Sequence, residues 1–301
     1  MTVFSATNAT VLAAVENWMS MRIRFILHYP IMKVRICAVQ FVITKNKEEN
    51  LKKAETYFET ASKNKCNIIC FPEMFLQGSL ELEDYDGNFV RQAKRKFSEL
   101  SKNHRIYSIM GSIIEKRGKQ IFNASYVFDD KGKILGRYDK IHLVRNSERE
   151  KLSRGKSAKV FKTKFGKIGI QICRDLLYPE VTRELMRKGA EIVFCPSYWC
   201  SRSSSYPRIY NEKYFGRKEP REVDFLVSAR AIESECVFIY VNAAGEMKEK
   251  KKWNVLLGRT QIAVPFYGAV KRIEDNREGI LIFDVDKKII SDAKKVYYID
   301  N

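Results

Sequence analysis

The amino-acid sequence predicts an α/β fold in which two mixed sheets lie face to face and helices cover them on the outside. Strand patterns alternate with helix patterns in two groups, and hairpin patterns separate the groups. Apolar residues make up 45% of the 301 residues, which is enough for a sizeable core. No linker, repeat or low-complexity segment divides residues 32–301, so we expect them to form one domain.

The first group of elements begins with an apolar, β-rich strand over residues 34–43. Leu51, Ala54 and Phe58 lie at helical spacing in the next segment, which predicts an amphipathic helix over 48–62. The turn 129–132 predicts a hairpin between two strands. The other predicted elements of this group are strands over 67–71, 107–114, 121–128 and 134–141 and a helix over 89–103.

The second group follows the same alternation of strands and helices. Its predicted elements are strands over 160–163, 167–173, 191–195, 237–241, 259–264, 269–273 and 279–285, and helices over 181–188 and 222–234. The charged run from Lys248 to Lys252 predicts a solvated loop. Residues 1–31 lack the basic start and apolar run of a signal peptide, and we expect an N-terminal extension outside the core.

Composition limits the classes of function. The net charge is +19, but the basic residues are spread along the chain, which favours a solvated surface over a nucleic-acid site. Seven cysteines at irregular spacing and three histidines form no zinc pattern, and free thiols indicate a reducing, cytoplasmic compartment. No apolar run reaches the roughly 18 residues of a membrane span, so we expect no membrane partner.

Residues 166–180 suggest a position for a nucleophile. Ile168, Ile170 and Ile172 predict a buried strand, whereas Pro179 and Glu180 suit the first turn of a helix. Cys173 therefore lies at a strand-to-helix elbow, where a thiol is accessible and backbone N–H groups can bind an oxyanion. Taken alone, this stretch favours a buried structural cysteine, because cysteine is among the most buried residue types.

Three further residues change that interpretation. Glu73 follows a short apolar strand, Lys140 ends the strand 134–141, and Glu148 lies in the polar loop between Lys140 and Cys173. Active sites of α/β proteins gather at the ends of strands. A carboxylate, an ammonium and a thiol that meet there suit covalent catalysis, in which the carboxylate takes the thiol proton and the ammonium stabilises an oxyanion.

Taken in order, these segments resemble the nitrilase superfamily of carbon–nitrogen hydrolases, from Lys33 to about Asp286. Phe71-Pro72-Glu73 resembles the glutamate motif of the family, and Tyr138-Asp139-Lys140-Ile141-His142-Leu143 resembles its lysine motif. Gly169-Ile170-Gln171-Ile172-Cys173-Arg174-Asp175, with Pro179-Glu180, resembles its cysteine motif. The segment from Arg230 to Asn242 resembles a helix-then-strand segment of the family.

The resemblance implies an αββα sandwich, a Glu73–Lys140–Cys173 triad, assembly into dimers or larger oligomers, and no requirement for a metal or cofactor. Many members carry a second glutamate seven residues before a glycine. Counting back from Gly155 gives Glu148, with Glu150 as the alternative. Arg174 stands where many members have an aromatic residue, and Arg154 stands where proline is usual, which weakens the alignment of Glu148.

We therefore expect cysteine-dependent hydrolysis of a small amide or N-carbamoyl compound through a thioester. Nitrile hydrolysis by the same triad is an alternative, and so is a catalytically silent basic binding protein with this fold. We also expect Arg174, Tyr198 and Trp199 to shape the substrate pocket, because Trp199 follows the strand 191–195 and Arg174 follows the nucleophile. The alternative for Arg174 is an internal ion pair, with Asp175 or a loop glutamate.

Overall fold

Two mixed sheets and six helices account for most of the residues that the computed structural model describes, which are 33–77, 85–144, 148–214, 218–249 and 252–299. The predicted extension, residues 1–31, lies outside the described residues. The helices are α1 (Lys47–Lys63), α2 (Gly87–His104), α3 (Pro179–Arg187), α4 (Arg208–Lys213), α5 (Glu219–Glu233) and α6 (Lys288–Val296), and a 3₁₀ helix spans Cys173–Leu177.

The strands follow the predicted alternation. They are β1 (Lys33–Val42), β2 (Ile68–Cys70), β3 (Tyr107–Ile109), β4 (Ile113–Arg117), β5 (Gln120–Phe128), β6 (Ile134–Asp139), β7 (Lys159–Thr163), β8 (Gly166–Ile170), β9 (Ile192–Ser197), β10 (Cys200–Ser203), β11 (Val237–Ala244), β12 (Glu246–Glu249), β13 (Lys252–Leu256), β14 (Gln261–Val264), β15 (Gly268–Arg272) and β16 (Gly279–Asp286).

The first sheet contains β1 to β6 and β16, and the second contains β7, β8, β9, β11, β14 and β15. The two sheets are continuous at one edge, where Phe41 and Val42 of β1 pair in parallel with Ala243 and Ala244 of β11. A smaller sheet is formed by β10, β13 and β12. The short junction between β1 and β11 holds the corresponding edges of the two large sheets together.

Three layers of apolar side chains support this arrangement. Between the sheets, Ile36 and Ile68 of the first sheet belong to the same buried cluster as Ile170, Phe194 and Ile239 of the second. A second cluster joins the outer face of the first sheet to α1 and α2. A third joins the outer face of the second sheet to α3 and α5. The order helix–sheet–sheet–helix confirms the predicted αββα sandwich.

The ends of the first two helices follow from local sequence. The side chain of Asn46 accepts a hydrogen bond from the N–H of Glu49 at 2.9 Å and so caps α1. Asp86 caps α2 in the same way, by accepting hydrogen bonds from the N–H groups of Asn88 and Phe89. The chain leaves α2 through Arg105 in the left-handed conformation.

Two of the predicted strands are wrong in extent. The strand predicted over 107–114 is split into β3 and β4, because Gly111 adopts a φ of +58° between them. The strand predicted over 167–173 ends at Ile170, and Cys173 begins the 3₁₀ helix instead. Both interruptions occur beside the residues that were predicted to form the site.

The prediction of a loop from Lys248 to Lys252 is wrong at its two ends, because Lys248 and Glu249 of β12 pair antiparallel with Trp253 and Lys252 of β13. Residues 250–251 lie outside the described residues. Met247 is buried whereas Lys248 is exposed, so the strand alternates in burial, but the lysines dominate the local composition. The sequence analysis also missed β10, α4 and α6.

The sheets bring several carboxyl ends to one edge. β2 is parallel to β1, β1 is parallel to β11, and β8, β9 and β11 are mutually parallel. β6 runs antiparallel to β5, which runs antiparallel to β3, so β6 has the direction of β2. The segments that follow β2, β6, β8 and β9 therefore lie at the same edge. Within the described residues, no helix is long and apolar enough to cross a membrane.

Gly111 offers a test of this edge. A Cβ at Gly111 would lie 1.9 Å from the carbonyl oxygen of Pro72, the residue before Glu73. We expect Gly111→Ala to lower both the free energy of unfolding and any activity. The control is Gly118→Ala, because Gly118 has a φ of +59° but open space around its Cβ position, so it should lose only about 1–2 kcal/mol. Equal losses in urea unfolding would contradict the proposed close approach.

Candidate active site

The four residues predicted for the catalytic site meet at this edge of the sheets. Glu73 lies three residues after β2, Lys140 directly after β6, and Cys173 three residues after β8. Glu148 lies in the loop between β6 and β7. Glu73, Lys140 and Glu148 each expose 1% of their surface, and Cys173 exposes 7%. The arrangement is therefore a buried cluster of ionisable groups, not a surface patch.

Lys140 is shared by the two carboxylates. Its Nζ donates hydrogen bonds to Oε1 of Glu73 at 2.8 Å and to Oε1 of Glu148 at 2.9 Å. The backbone N–H of Val144 donates to Oε2 of Glu148 at 2.7 Å, which fixes the second carboxylate. Glu150, the alternative to Glu148, is exposed. The structure thus brings Glu148, and not Glu150, to the lysine.

Asn123 on β5 also joins the two carboxylates. Its Nδ2 donates to Oε1 of Glu73 at 2.7 Å and to Oε1 of Glu148 at 3.2 Å. Its backbone carbonyl accepts a hydrogen bond from the N–H of Lys140 at 2.9 Å. The sequence analysis missed Asn123. The available signal was an asparagine inside the apolar strand pattern of 121–128, where asparagine is disfavoured.

The second oxygen of Glu73 faces the other sheet. The backbone N–H of Tyr198, which follows β9, donates to Oε2 of Glu73 at 2.8 Å. The backbone N–H of Glu73 donates to the carbonyl of Ser197 at 3.3 Å. The charge of Glu73 also acts on the Cys173 thiol, whose pKa it raises. Glu73 therefore binds the lysine and influences the cysteine.

The burial of this cluster changes the protonation of its members. Burial raises the pKa of the Cys173 thiol well above its usual range, and the charge of Glu73 raises it further. Burial also raises the pKa of Glu73, against the opposing effect of Lys140. For Lys140, burial lowers the pKa, but the two carboxylates outweigh it and hold the pKa well above the ordinary value. The resting cluster is a charged lysine beside a protonated thiol.

The backbone at Cys173 is unusual. Cys173 has a φ of +46°, in the left-handed region that side chains with a Cβ rarely adopt. It is the first residue of the 3₁₀ helix, which begins with the hydrogen bond from the N–H of Asp175 to the carbonyl of Ile172 at 3.0 Å, so the N–H groups of Cys173 and Arg174 precede the first bond of that helix. Strained residues cluster at functional sites, and exposed N–H groups at a helix start can bind negative charge.

Asp175 fixes this elbow to the loop that carries Lys140. Its Oδ2 accepts hydrogen bonds from the hydroxyl of Tyr138 at 2.6 Å and from the N–H of Ile172 at 2.9 Å. Its Oδ1 accepts one from the N–H of His142 at 2.8 Å. The ring of His142 stacks on Tyr178, with the centroids 3.5 Å apart. Asp175 is fully buried, so these partners replace its hydration.

Of the three residues predicted to bind substrate, Arg174 follows Cys173 directly, and Tyr198 and Trp199 follow β9, where the backbone N–H of Tyr198 donates to Glu73. Trp199 is half-buried and is held by Asn242, whose Oδ1 accepts its backbone N–H at 2.8 Å, and by Glu219, which accepts its indole N–H at 2.6 Å. Arg174 is half-buried, and its Nε is buried without a hydrogen-bond partner. Within the described residues Arg174 forms no ion pair, so the alternative of a pair with Asp175 is not observed.

Within the described ranges, no group of three or more His, Cys, Asp or Glu side chains is placed to hold a metal ion. The groups that this site brings together are a thiol, two carboxylates, an ammonium and backbone N–H groups.

Comparison with known proteins identifies the family. The chain belongs to the carbon–nitrogen hydrolase family, because the model of that family matches residues 35–295. The predicted membership of the nitrilase superfamily is thereby confirmed, and with it the prediction that the protein is a carbon–nitrogen hydrolase.

Individual proteins of known sequence or structure resemble this chain at low sequence identity. The omega-amidase NIT2 of Xenopus tropicalis is 27% identical over 273 residues, which cover 87% of this chain and 92% of that protein. The hydrolase C26A3.11 of Schizosaccharomyces pombe is 28% identical over 86% of this chain and 79% of that protein. The crystal structure of a carbon–nitrogen hydrolase from Helicobacter pylori G27 superposes with a TM-score of 0.80 at 21% identity, over 90% of this chain and 95% of that chain. The crystal structure of Nit3 from Saccharomyces cerevisiae superposes with a TM-score of 0.72 at 22% identity, over 89% of this chain and 96% of that chain.

Asp175→Asn tests the connection between the elbow and the lysine loop. The amide retains the shape of the carboxylate but turns an N–H₂ group towards donors, which leaves buried groups unpaired. We expect the free energy of unfolding to fall by about 2 kcal/mol or more. Urea unfolding with the parent protein as reference measures it. A change below about 0.5 kcal/mol, the range of ordinary surface substitutions, would show that Asp175 does not hold the two segments together.

Proposed function

We propose that this protein hydrolyses a non-peptide carbon–nitrogen bond, in a small amide or an N-carbamoyl compound, through a thioester on Cys173. The observation that carries the proposal is that one buried carboxylate, Glu73, binds the Lys140 ammonium at 2.8 Å and lies close enough to the Cys173 thiol for its charge to raise the pKa of that thiol. A base beside a nucleophile, with a cation close by, is the arrangement that acyl transfer requires.

The first half of the reaction forms the thioester. Glu73 takes the proton from Sγ of Cys173, and the sulfur attacks the carbonyl carbon as the carbonyl π electrons move to the oxygen. Lys140 and the backbone N–H of Arg174 stabilise the oxyanion. When the oxyanion collapses, the C–N bond breaks and Glu73 delivers its proton to the leaving nitrogen. Ammonia or an amine departs, and the acyl group remains on sulfur.

The second half regenerates the enzyme. Glu73, again ionised, takes a proton from a water molecule, and the oxygen of that water attacks the thioester carbon. The C–S bond breaks, the carboxylic acid leaves, and the proton returns from Glu73 to the sulfur of Cys173. Each proton and electron pair is balanced without a cofactor. Glu148 accepts a hydrogen bond from Lys140 at 2.9 Å and so helps to orient the ammonium towards the substrate.

The raised pKa of Cys173 explains why the mechanism needs a base. At neutral pH the sulfur carries its proton, and a thiol is a poor nucleophile. Burial raises the pKa of Glu73, which makes it a better proton acceptor than an ordinary carboxylate. Attack and proton transfer to Glu73 are therefore expected to be coupled.

The substrate is an amide or carbamoyl compound rather than a nitrile in this proposal. Relatives from several vertebrates are named omega-amidases, and this naming supports the amide class. Nitrile hydrolysis by the same three residues is tested in the same assay, by measuring ammonia release from paired amides and nitriles. A silent binding protein would release ammonia from neither.

The pocket is proposed to include Arg174, Tyr198 and Trp199. Arg174 follows the nucleophile, its Nε is buried without a hydrogen-bond partner, and within the described residues it pairs with no carboxylate. A carboxylate or another anionic group on the substrate would provide the missing partner. Tyr198 and Trp199 follow β9. The backbone N–H of Tyr198 donates to Glu73, and that of Trp199 donates to Oδ1 of Asn242.

We further propose that the protein forms homo-oligomers in the cytoplasm. Phe225 and Tyr267 expose 71% and 75% of their surface, and exposed aromatic side chains are favoured at interfaces. All seven cysteines are free and buried, as expected in a reducing compartment. Sedimentation at several concentrations and cell fractionation test the two proposals separately.

Covalent trapping tests the mechanism. Intact-mass spectrometry during turnover of a slow amide should show the protein plus one acyl group, and Cys173→Ala should abolish both the adduct and the turnover. Glu73→Gln and Lys140→Ala should each lower kcat by about a hundredfold or more. Cys195→Ala is the control, because Cys195 is buried in β9 with a pKa raised to about 12. Equal losses at Cys173 and Cys195 in folded proteins would refute the assignment.

Arg174→Ala tests the charge of the substrate. If Arg174 pairs with an anionic group, the substitution should raise KM for an acidic amide by tenfold or more, as loss of a charge-assisted hydrogen bond of about 1.5–3 kcal/mol requires. KM for the neutral analogue should change much less. Equal changes in KM for the two substrates would leave Arg174 a structural residue.

A further inference from the structure

Asn123 occupies a position in the candidate site that the proposed mechanism does not yet use. It lies inside β5, is 1% exposed, and directs both N–H bonds of one amide nitrogen at the Oε1 atoms of Glu73 and Glu148. These are the same two oxygens that Lys140 binds. The two nitrogen atoms, of Asn123 and Lys140, thus each donate a hydrogen bond to both carboxylate oxygens, and the four hydrogen bonds form a closed cycle.

Charge balance shows what the amide contributes. Two buried carboxylates share one ammonium, so the cluster carries a net negative charge when Glu73 is ionised, and the carboxylates repel each other. Asn123 adds two hydrogen bonds to them without adding charge. Because Asn123 supplies these bonds, Lys140 binds each carboxylate with only one N–H, which leaves its third N–H for an oxyanion.

The orientation of the amide supports a functional role. Among the residues that the structure describes, the buried Oδ1 atom of Asn123 has no hydrogen-bond partner. If the amide were rotated by 180°, that oxygen would face two carboxylate oxygens, so the observed orientation is fixed by the carboxylates. A buried, unpaired carbonyl is unfavourable by about 1–3 kcal/mol, and an apolar residue in this strand would avoid that penalty.

The hydrogen bonds also determine which oxygen of Glu73 is left for the thiol. Oε1 accepts hydrogen bonds from Lys140 and Asn123, whereas Oε2 accepts one from the backbone N–H of Tyr198. Oε2 therefore retains the capacity to accept the proton of Cys173. If Asn123 did not hold Oε1, the carboxylate could rotate about its terminal bond, since only the lysine would restrain that side.

We propose that Asn123 is a positioning residue, which holds Glu73 and Glu148 on Lys140 so that Glu73 presents Oε2 to the Cys173 thiol. The role rests on the proposed function, since it acts through Glu73. It involves no contact with the substrate. Removal of the two donors is expected to disfavour the ionised form of Glu73, because hydrogen bonds to a carboxylate stabilise its charge.

Two substitutions distinguish the effect of the N–H donors of Asn123 from the effect of its side-chain shape. Asn123→Asp keeps the shape but replaces the N–H₂ group with a third carboxylate, facing Glu73, Glu148, Lys140 and the nearby Cys173. Asn123→Leu removes the donors and adds no charge. The control is Ser125→Ala, two residues further along the same strand, where the hydroxyl is buried without a hydrogen-bond partner. Each variant is first checked by thermal unfolding.

The first measurement is the rate of Cys173 alkylation by iodoacetamide as a function of pH, with the modified site verified by mass spectrometry. In the parent protein the rate should rise with pH as Glu73 ionises. We expect the midpoint of this rise to move upward by about one pH unit or more in Asn123→Asp, and by less in Asn123→Leu. Ser125→Ala should follow the parent curve.

The second measurement is kcat and KM for the best amide substrate. Asn123→Leu should lower kcat by about tenfold or more, with KM within about threefold of the parent value, because the base is misaligned and binding is retained. Alkylation needs no substrate, so the two proposals can fail separately. If the Asn123 variants shift the alkylation curve but the parent protein releases no ammonia from any amide, the hydrolysis is refuted and the positioning role remains.

Two results would overturn the positioning role. One is an alkylation curve that coincides with that of the parent in a folded Asn123→Leu or Asn123→Asp protein. The other is the failure of both variants to fold under conditions where Ser125→Ala folds, which would make Asn123 a purely structural residue.

Discussion

One buried ammonium shared between two buried carboxylates is the constraint on which this structure depends. Burial of Glu73, Glu148 and Lys140 together is favourable only if every charged atom finds a partner. The backbone provides part of that compensation, through the N–H groups of Tyr198 and Val144, and the side chain of Asn123 adds a hydrogen bond to each carboxylate. The resulting surplus of negative charge keeps the lysine protonated and raises the pKa of the neighbouring thiol.

The fold meets this constraint by bringing strand ends from two sheets to one edge. Glu73 and Lys140 follow strands of the first sheet, whereas Cys173 and Tyr198 follow strands of the second. The junction of β1 with β11 and the hydrogen bond from Glu73 to the Ser197 carbonyl hold the two sets of ends together. Asp175 then fixes the elbow of Cys173 to the lysine loop. The proposed covalent catalysis therefore depends on the sheet edge as a whole.

Sequence patterns were sufficient for the sandwich and for the meeting of Glu73, Lys140, Cys173 and Glu148, because each follows a recognisable strand or lies at a countable spacing. They were insufficient where contacts between residues distant in sequence determine the end of a strand or the role of a side chain. Gly111 breaks a predicted strand because it packs on Pro72, which is distant in sequence. Asparagine is disfavoured inside a strand, and the reason for Asn123 lies in its hydrogen-bond partners, Glu73 and Glu148, which are 50 and 25 residues away in sequence. The β12–β13 hairpin was hidden because the lysines of its exposed positions dominate the composition.

The central claim is that Cys173 rests as a thiol and is activated by Glu73, rather than as a preformed thiolate. Titration of the ultraviolet absorbance of the thiolate, with Cys173→Ala subtracted, tests it most directly. Because burial and the charge of Glu73 raise the pKa of Cys173, the account predicts no thiolate signal from Cys173 up to the ordinary thiol pKa of 9.0. A thiolate signal that is complete at neutral pH would contradict it, because Glu73 would then have no proton to remove.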